Sequence, residues 1–300
     1  MPRDGTLLRG EFVWRGTKSE GRRVLRTASV VVGKEDPGLD KSSLGGVVLA
    51  VGGITFGLLL EGGRVSQILQ PTAAIIVFGG TIGAVMLQFP LAVIVQAGKQ
   101  LRNVFRERGT NPLDVVHQLV GYAHQARRAG IVSLDDELER ISDPFLKRSL
   151  MLAVDGTEPE ELRKMMESEL SARVEEEELI TRVFESAGGF APTIGIIGAV
   201  LGLIQVMQHL ANMDEVGRGI AVAFVATIYG VGAANLLFLP CAGKLRIRFR
   251  QQQTLREMTL EGVISILEGM NPHVLEGKLC GYLQEQTADS RKERTTGARA

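Results

Sequence analysis

Four long stretches without charged side chains constrain the fold of this sequence more than any other feature. No Asp, Glu, Lys or Arg occurs in residues 42–60, 65–98, 186–213 or 219–243. A helix needs about 20 consecutive, mostly apolar residues to cross the hydrocarbon core of a bilayer, and a soluble helix of that length would carry a polar stripe. We therefore expect an all-α, four-helix polytopic membrane protein with a helical cytoplasmic domain between spans 2 and 3.

The uncharged stretches divide the chain into five predicted parts. Between spans 2 and 3, Asn111-Pro112 predicts a helix start and Gly130 a helix end. Thr157 and Glu160 predict a capping box at the start of a long helix. The five parts are a polar, disordered N-terminal extension (1–41), a transmembrane hairpin with spans 1 and 2 (42–98), a cytoplasmic helical domain (99–185), a hairpin with spans 3 and 4 (186–243), and a cytoplasmic C-terminal helix with a disordered tail (244–300).

Basic side chains predict the orientation of the spans. The connection after span 1 carries a single basic residue, Arg64, and the connection after span 3 carries only Arg218. Lysine and arginine accumulate in short cytoplasmic loops, so we expect both termini and residues 99–185 to face the cytoplasm. The basic residues next to the other span ends are Lys99, Arg102, Arg106, Arg108, Arg173, Arg182, Lys244, Arg246, Arg248 and Arg250.

Prolines and a hydroxyl group distinguish spans 3 and 4. Pro192 and Pro240 lie near the cytoplasmic ends of two antiparallel spans, so we expect them at similar depth, and each frees a backbone carbonyl in its helix. Ala199 and Thr227 both fall near the middle of the membrane at 1.5 Å per residue. The alternatives are a pair of harmless kinks and a threonine that bonds to its own helix backbone.

Small residues predict close helix packing within the membrane. Gly79 and Gly83 in span 2, and Gly198 and Gly202 in span 3, have the spacing that lets two helix backbones approach. This pattern predicts an oligomeric bundle without identifying which one.

The membrane parts of the spans contain no carboxylate and no basic group, which limits what this chain can do alone. A proton carrier in a membrane needs an ionisable group, and His209, the one candidate, lies at the outer edge of span 3. We therefore expect that the chain shapes an ion pathway and that a partner supplies the acid.

No enzyme signature occurs, so the chain is predicted not to be an enzyme and to need no cofactor. The sequence contains no HExxH, no GxSxG and no phosphate loop. Cys241 and Cys280 form neither a disulfide framework nor a zinc spacing. His117 and His124 lack a nearby acid or cysteine, which favours a solvent-facing pair over a metal site. The formal net charge of zero is uninformative, because it averages a neutral membrane part with charged water-facing parts. We expect membrane lipid, and no nucleic acid, among the partners.

The order and spacing of several motifs resemble the MotA/PomA stator family of flagellar motors. The resemblance covers roughly residues 42–282 and places Thr227 and Pro240 at matching positions of the fourth span. The similar segments are Glu61-Gly62-Gly63, Gln70-Pro71, Phe78-Gly79-Gly80-Thr81, 127–135, Val154-Asp155-Gly156, 191–203 and 221–240.

This resemblance implies a partner and an assembly. It implies a pentamer of this chain around two copies of a single-span partner, MotB or its sodium counterpart. The membrane aspartate of that partner carries the ion, and its periplasmic domain anchors to peptidoglycan. In this chain, Pro192, Thr227 and Pro240 would line the helices that face the aspartate. The location implied is the bacterial inner membrane.

The resemblance also implies contact with the rotor switch protein. Arg127 and Asp135 would engage it by charge complementarity. The family's acid is usually glutamate, so Asp136 and Glu137 remain alternatives to Asp135.

The coupling ion is predicted to be H⁺ from the residue at position 199. Sodium-type relatives tend to carry threonine there, and its hydroxyl can ligate a hard cation, whereas Ala199 offers no ligand. The segment Thr227-Ile228-Tyr229-Gly230 nevertheless also resembles sodium-type members.

Three alternative functions remain at this point. An ExbB/TolQ-like energiser of outer-membrane transport usually has one span before its cytoplasmic loop, whereas this chain has two, at 44–60 and 72–95. A self-contained transporter would need ionisable groups within its spans. A passive membrane scaffold is the third alternative.

Overall fold

The structure is a computed structural model that describes residues 40–104 and 111–283. The expected disorder of the N-terminal extension and of the C-terminal tail concerns residues that lie outside these ranges. Every regular element in the described ranges is helical, and four helices are long and apolar enough to cross a membrane. The predicted fold class is confirmed. The helices are α1 (Lys41–Leu60), α2 (Pro71–Gln88), α3 (Leu91–Val104), α4 (Pro112–Ala129), α5 (Asp135–Leu138), α6 (Pro144–Val154), α7 (Pro159–Gln208), α8 (Met213–Leu267) and α9 (272–283), with 3₁₀ turns at Val65–Gln67 and Ile131–Leu134.

Span 2 is interrupted where the sequence predicted one continuous helix. Its helix, α2, ends at Gln88, and Phe89 is extended with φ −122° and ψ 145°. Pro90 explains the break, because the ring of a proline disfavours helical geometry at the preceding residue. The chain resumes as α3 at Leu91, so the predicted span of residues 72–95 is not one continuous helix.

The helices of spans 3 and 4 continue far into the cytoplasmic domain. α7 is a single helix of 50 residues, and α8 has 55 residues with a five-residue π-helical segment at Ala234–Phe238. α7 begins at Pro159 without a side-chain cap, so the expected capping box at Thr157 was wrong. Proline at the first helical position is pre-set for helix geometry and has no N–H that needs a cap.

The cytoplasmic domain has its own hydrophobic core. α4, α5 and α6 pack against the cytoplasmic ends of α7 and α8 and against α9. Each large side chain buried there contributes about 1.5–3 kcal/mol. The largest of them are Leu119, Leu134, Phe145, Leu150, Leu162, Met166, Met258, Ile264, Leu275 and Leu279.

Span 1 is the most exposed of the four spans. No residue of the range 42–60 is buried by the rest of the protomer. Its N-terminal end is held by Asp40, which is buried, caps α1 and pairs with Lys244 and Arg248 of α8. Because α1 begins at Lys41, the boundary predicted after residue 41 falls inside this helix.

Candidate functional site

Glycines bring α7 and α8 into backbone contact along the membrane part of the structure. A Cβ on Gly195 would lie 2.9 Å from the carbonyl oxygen of Ala226, and one on Gly202 would lie 2.8 Å from the carbonyl oxygen of Gly219. On α8, a Cβ on Gly230 would lie 2.5 Å from the carbonyl oxygen of Ala191. Any side chain at these positions would push the helices apart, so the glycines fix the distance between spans 3 and 4.

The two predicted glycine pairs have different surroundings. Gly198 packs against Ala226 of α8 and Ile76 of α2, as the small-residue pattern predicted. A Cβ on Gly79 or Gly83 would meet no atom of another described element within 4 Å, whereas one on Gly80 would lie 2.8 Å from Cγ2 of Ile194. The Gly79–Gly83 face is therefore not a packing face within this protomer.

Both predicted prolines lie within one helical turn of the same contact in the span 3–4 hairpin. Pro192 removes the usual hydrogen bond to the carbonyl of Gly188, and Gly188 packs against Leu239, the residue before Pro240. The π-helical segment on α8 ends at Phe238, two residues before Pro240. π segments occur frequently at functional sites, and no sequence pattern predicted this one.

Thr227 and Ala199 lie beside the glycine-packed interface. Both side chains are partly buried, and each follows a residue of the Gly198–Ala226 contact. The Thr227 hydroxyl donates to the carbonyl oxygen of Ala223 at 3.2 Å. Thr227 therefore bonds to the backbone of its own helix, which was one of the alternatives open from the sequence. Its oxygen keeps acceptor capacity, so this bond does not prevent contact with a partner.

His209 does not supply the missing ionisable group inside the membrane. It lies at the outer end of α7, where Nδ1 is 3.0 Å from the carbonyl oxygen of Gln205 and Nε2 is 3.4 Å from Glu215. The membrane parts of α7 and α8, residues 186–208 and 219–243, contain no acidic or basic residue.

Tyr229 fixes the outer loop to span 4, a role that the sequence did not predict. Its hydroxyl donates to the carbonyl oxygen of Ile68 at 2.6 Å and accepts from the N–H of Gln70 at 3.3 Å. Its ring also lies against Phe78, with 6.3 Å between centroids. Span 2 therefore starts at a defined position on span 4.

The predicted rotor-contact residues lie on one exposed turn of the cytoplasmic domain. α4 ends at Gly130, whose φ of 83° disfavours other residues. The turn is fixed by two hydrogen bonds of 2.7 Å, from Gln125 Nε2 to the Ser133 carbonyl and from Ser133 Oγ to the Gly130 carbonyl. The side chains of Arg127 and Asp135 are exposed on either side of it.

The structure distinguishes the three acids that follow this turn. Glu137 pairs with Arg140 at 3.0 Å and is only partly exposed. Asp135 and Asp136 are both exposed and form no ion pair with another described residue. They are therefore the acids with a free carboxylate.

Ion pairs join α7, α8 and α9 within the cytoplasmic domain. Glu261 of α8, 18 residues beyond the last residue of the uncharged stretch, binds Arg163 at 3.0 Å and Lys278 at 2.5 Å. Burial alone would raise the pKa of Glu261, but the hydrogen bonds and charges of Lys278 and Arg163 outweigh it and lower the pKa. The hydrogen bond to Glu261 also raises the pKa of Arg163.

The histidines form no metal site with other described residues. No group of three potential ligands occurs in the described ranges. His124 instead lies edge-on to His273 of α9, with 6.3 Å between ring centroids, and His117 is exposed.

These features define a class: an α-helical, four-span membrane protein in which a glycine-packed hairpin continues into a cytoplasmic domain. A profile described as motility protein A N-terminal matches residues 44–130, and one of the MotA/TolQ/ExbB proton channel family matches residues 137–258. Motility protein A of Bacillus subtilis (strain 168) is 38% identical over 246 residues, which are 82% of this chain and 91% of that protein.

Two solved structures are also similar. The structure of C. jejuni MotAB superposes with a TM-score of 0.77 at 32% identity, covering 81% of this chain and 96% of that chain. The flagellar MotAB stator complex from Bacillus subtilis gives 0.76 at 37% identity, covering 84% and 99%. The chain belongs to the MotA/TolQ/ExbB proton channel family, and the predicted resemblance to its MotA-type stator subunits is confirmed.

Proposed function

We propose that this chain is the A-type subunit of a bacterial flagellar stator, which couples ion flow to torque on the rotor. The observation that carries the proposal is the hairpin of α7 and α8. Its membrane part is packed through glycines and contains the prolines, and its helices continue into the cytoplasmic domain. Similarity to solved MotAB stators over more than four-fifths of the chain supports the same function.

A single-span partner of the MotB type completes the pathway. An ion that crosses hydrocarbon needs a polar group or water to receive it, and the spans of this chain offer hydroxyl groups, amides and freed carbonyls but no carboxylate. The partner's membrane aspartate supplies that group. Its protonation removes a charge that faces Pro192, Thr227 and Pro240, which moves the partner relative to a ring of five copies of this chain.

Reconstitution in liposomes tests this division of roles. We expect no gated proton flux from this chain alone, flux with the partner, and no flux when the partner's membrane Asp is replaced by Asn. Specific, gated flux from this chain alone would contradict the proposal. Unchanged flux with the Asn partner would contradict the assignment of the carrier.

The proposed coupling ion is H⁺. Ala199 provides no oxygen ligand, and a desolvated Na⁺ would need several oxygens whereas a proton needs none. In the same liposomes, flux driven by a pH gradient should be unaffected when Na⁺ is replaced by choline at constant pH. Flux that stops without Na⁺ would refute the assignment.

Location and rotor contact complete the proposal. The protein lies in the inner membrane, and we propose that both termini and the cytoplasmic domain are on the inner side. The 2.7 Å hydrogen bonds of the turn after α4 hold Arg127 and Asp135 outward, where they contact the rotor switch protein by charge complementarity. Membrane lipid surrounds the exposed apolar side chains of the spans.

A further inference from the structure

We propose that Asp40 is a positioning residue that fixes the cytoplasmic end of span 1 against span 4. It lies at the start of α1, and its partners Lys244 and Arg248 lie on α8, more than 200 positions later in the sequence. The site is next to Pro240, at the cytoplasmic end of the proposed ion pathway. Nothing in the sequence patterns marked this residue.

The two carboxylate oxygens of Asp40 have separate partners. Oδ1 accepts from the backbone N–H groups of Ser42 and Ser43 at 3.0 and 3.1 Å and from the Ser42 hydroxyl at 2.7 Å. Oδ2 accepts from Lys244 Nζ and from Arg248 Nη2, the latter at 3.1 Å. One oxygen therefore caps α1, and the other binds α8.

This pairing is poorly accessible to water. Only 8% of the Asp40 side chain is exposed, against 25% for Lys244 and 22% for Arg248. A buried carboxylate is costly unless cations and hydrogen bonds compensate it, and removing one partner of such a pair leaves an uncompensated charge. The pairing therefore constrains the position of α1 more strongly than an exposed ion pair would.

The surroundings explain why this one contact matters. None of residues 42–60 is buried by the protomer, so apolar packing within the protomer does little to hold α1 in place. Asp40 also lines an open pocket of about 500 Å³ together with Pro240, Lys244 and Arg248. Because both Asp40 oxygens are occupied, the carboxylate positions the helix and does not act as an ion ligand.

Asp40→Asn separates the two roles. Asparagine keeps an oxygen that can cap α1 but has no charge for Lys244 and Arg248. The matched control is Asp143→Asn, because Asp143 caps α6 through Phe145 and Leu146 and forms no ion pair with another described residue.

The first experiment measures the position of α1 by cross-linking in membranes. The full chain, co-expressed with its single-span partner, carries cysteines only at Ser43 and Ile247, which line the pocket, after Cys241→Ala and Cys280→Ala. With a short bifunctional thiol reagent, we expect the yield of cross-linked chain to fall roughly tenfold in Asp40→Asn, because a buried ion pair is broken. The yield should stay at the parent level in Asp143→Asn. The reversed pair Asp40→Lys with Lys244→Asp should restore more yield than Asp40→Lys alone.

Equal yields in Asp40→Asn and the parent, or equal losses in both asparagine variants, would overturn the proposal. Normalising the yields to the amount of membrane-inserted chain separates a moved helix from lost protein. A second readout rests on the proposed function: swimming speed should fall in Asp40→Asn but not in Asp143→Asn. Normal swimming despite a lost cross-link would contradict the expected effect of the α1 position on motility and would still support the positioning role of Asp40.

Discussion

At the scale of single residues, Gly230 shows how closely spans 3 and 4 approach. The nearest atoms to a Cβ at this position are backbone atoms of α7, at 2.5 Å from the Ala191 carbonyl oxygen and 3.1 Å from the Gly195 Cα. Backbone atoms cannot rotate away as the end of a flexible side chain can. The contact therefore tolerates no added methyl group unless the helices separate.

We expect Gly230→Ala to destabilise the protein by about 1–3 kcal/mol, as overpacking of a tight contact does. The matched control is Gly232→Ala, two residues further along the same helix, where a Cβ meets no atom within 4 Å. Thermal unfolding in detergent should give a lower midpoint for the first variant and an unchanged or higher midpoint for the second. Equal midpoints for both variants would contradict the glycine contact.

Local sequence patterns predicted some of these residues and missed others. Prolines and glycines carry their backbone consequences with them, so Pro192, Pro240 and the Gly198 contact were predictable. Tyr229 and Asp40 were not, because their hydrogen-bond partners lie 161 and more than 200 positions away. The Gly79–Gly83 spacing predicted a packing face, but spacing does not indicate whether the neighbour belongs to the same protomer.

At the scale of elements, Glu261 joins three helices and gives a pH-dependent contribution to stability. Its folded-state pKa is lowered, so the ion pairs contribute fully above the unfolded pKa of about 4.3. The contribution is lost as the pH falls through the lower folded-state pKa. We expect Glu261→Gln to destabilise the protein by about 1 kcal/mol at pH 7 and by progressively less as the pH falls below about 4.

Thermal unfolding of the parent and of Glu261→Gln, from pH 7 to below about pH 4, measures the difference in stability between them. The control is Glu268→Gln. Glu268 is exposed near the end of α8 and forms no ion pair with another described residue, so this substitution should change the stability little at any pH in the range. A difference between Glu261→Gln and the parent that does not depend on pH would contradict the lowered pKa.

The turn after α4 gives a prediction about torque. Arg127→Glu and Asp135→Lys should each impair swimming without reducing the amount of stator in the membrane, and a charge reversal on the rotor protein should partly restore it. Lys164→Glu, an exposed reversal on α7 away from the turn, is the matched control. Normal swimming of the Arg127→Glu, Asp135→Lys double variant with an unaltered rotor would contradict a rotor contact.

Helix type was predictable at this scale, whereas helix ends were less so. Uncharged stretches of span length leave few alternatives to a transmembrane helix, and Pro112 and Gly130 marked the ends of α4 correctly. The break at Pro90 and the start of α7 at Pro159 follow from local proline geometry, which the boundaries predicted from apolar length and capping patterns did not include. No sequence pattern indicated the π segment in α8.

At the scale of the whole molecule, the orientation of the chain can be measured directly. Single cysteines at Ser66 in the exposed turn after α1 and at Val132 in the exposed turn after α4 should react differently with a membrane-impermeant thiol reagent. In intact cells we expect labelling at position 66 and not at 132, and labelling at both after the cells are permeabilised. Labelling at 132 but not at 66 in intact cells would reverse the topology.

The length of α7 has a mechanical consequence for the assembled motor. From Pro192 to Pro159 this helix rises roughly 50 Å at 1.5 Å per residue, and it is continuous over that distance. A rigid tilt of about 5° about Pro192 would therefore displace the far end of α7 by about 4 Å. A small change in packing around this proline would thus become a side-chain-sized displacement at the start of α7, because the helix is continuous between the two points.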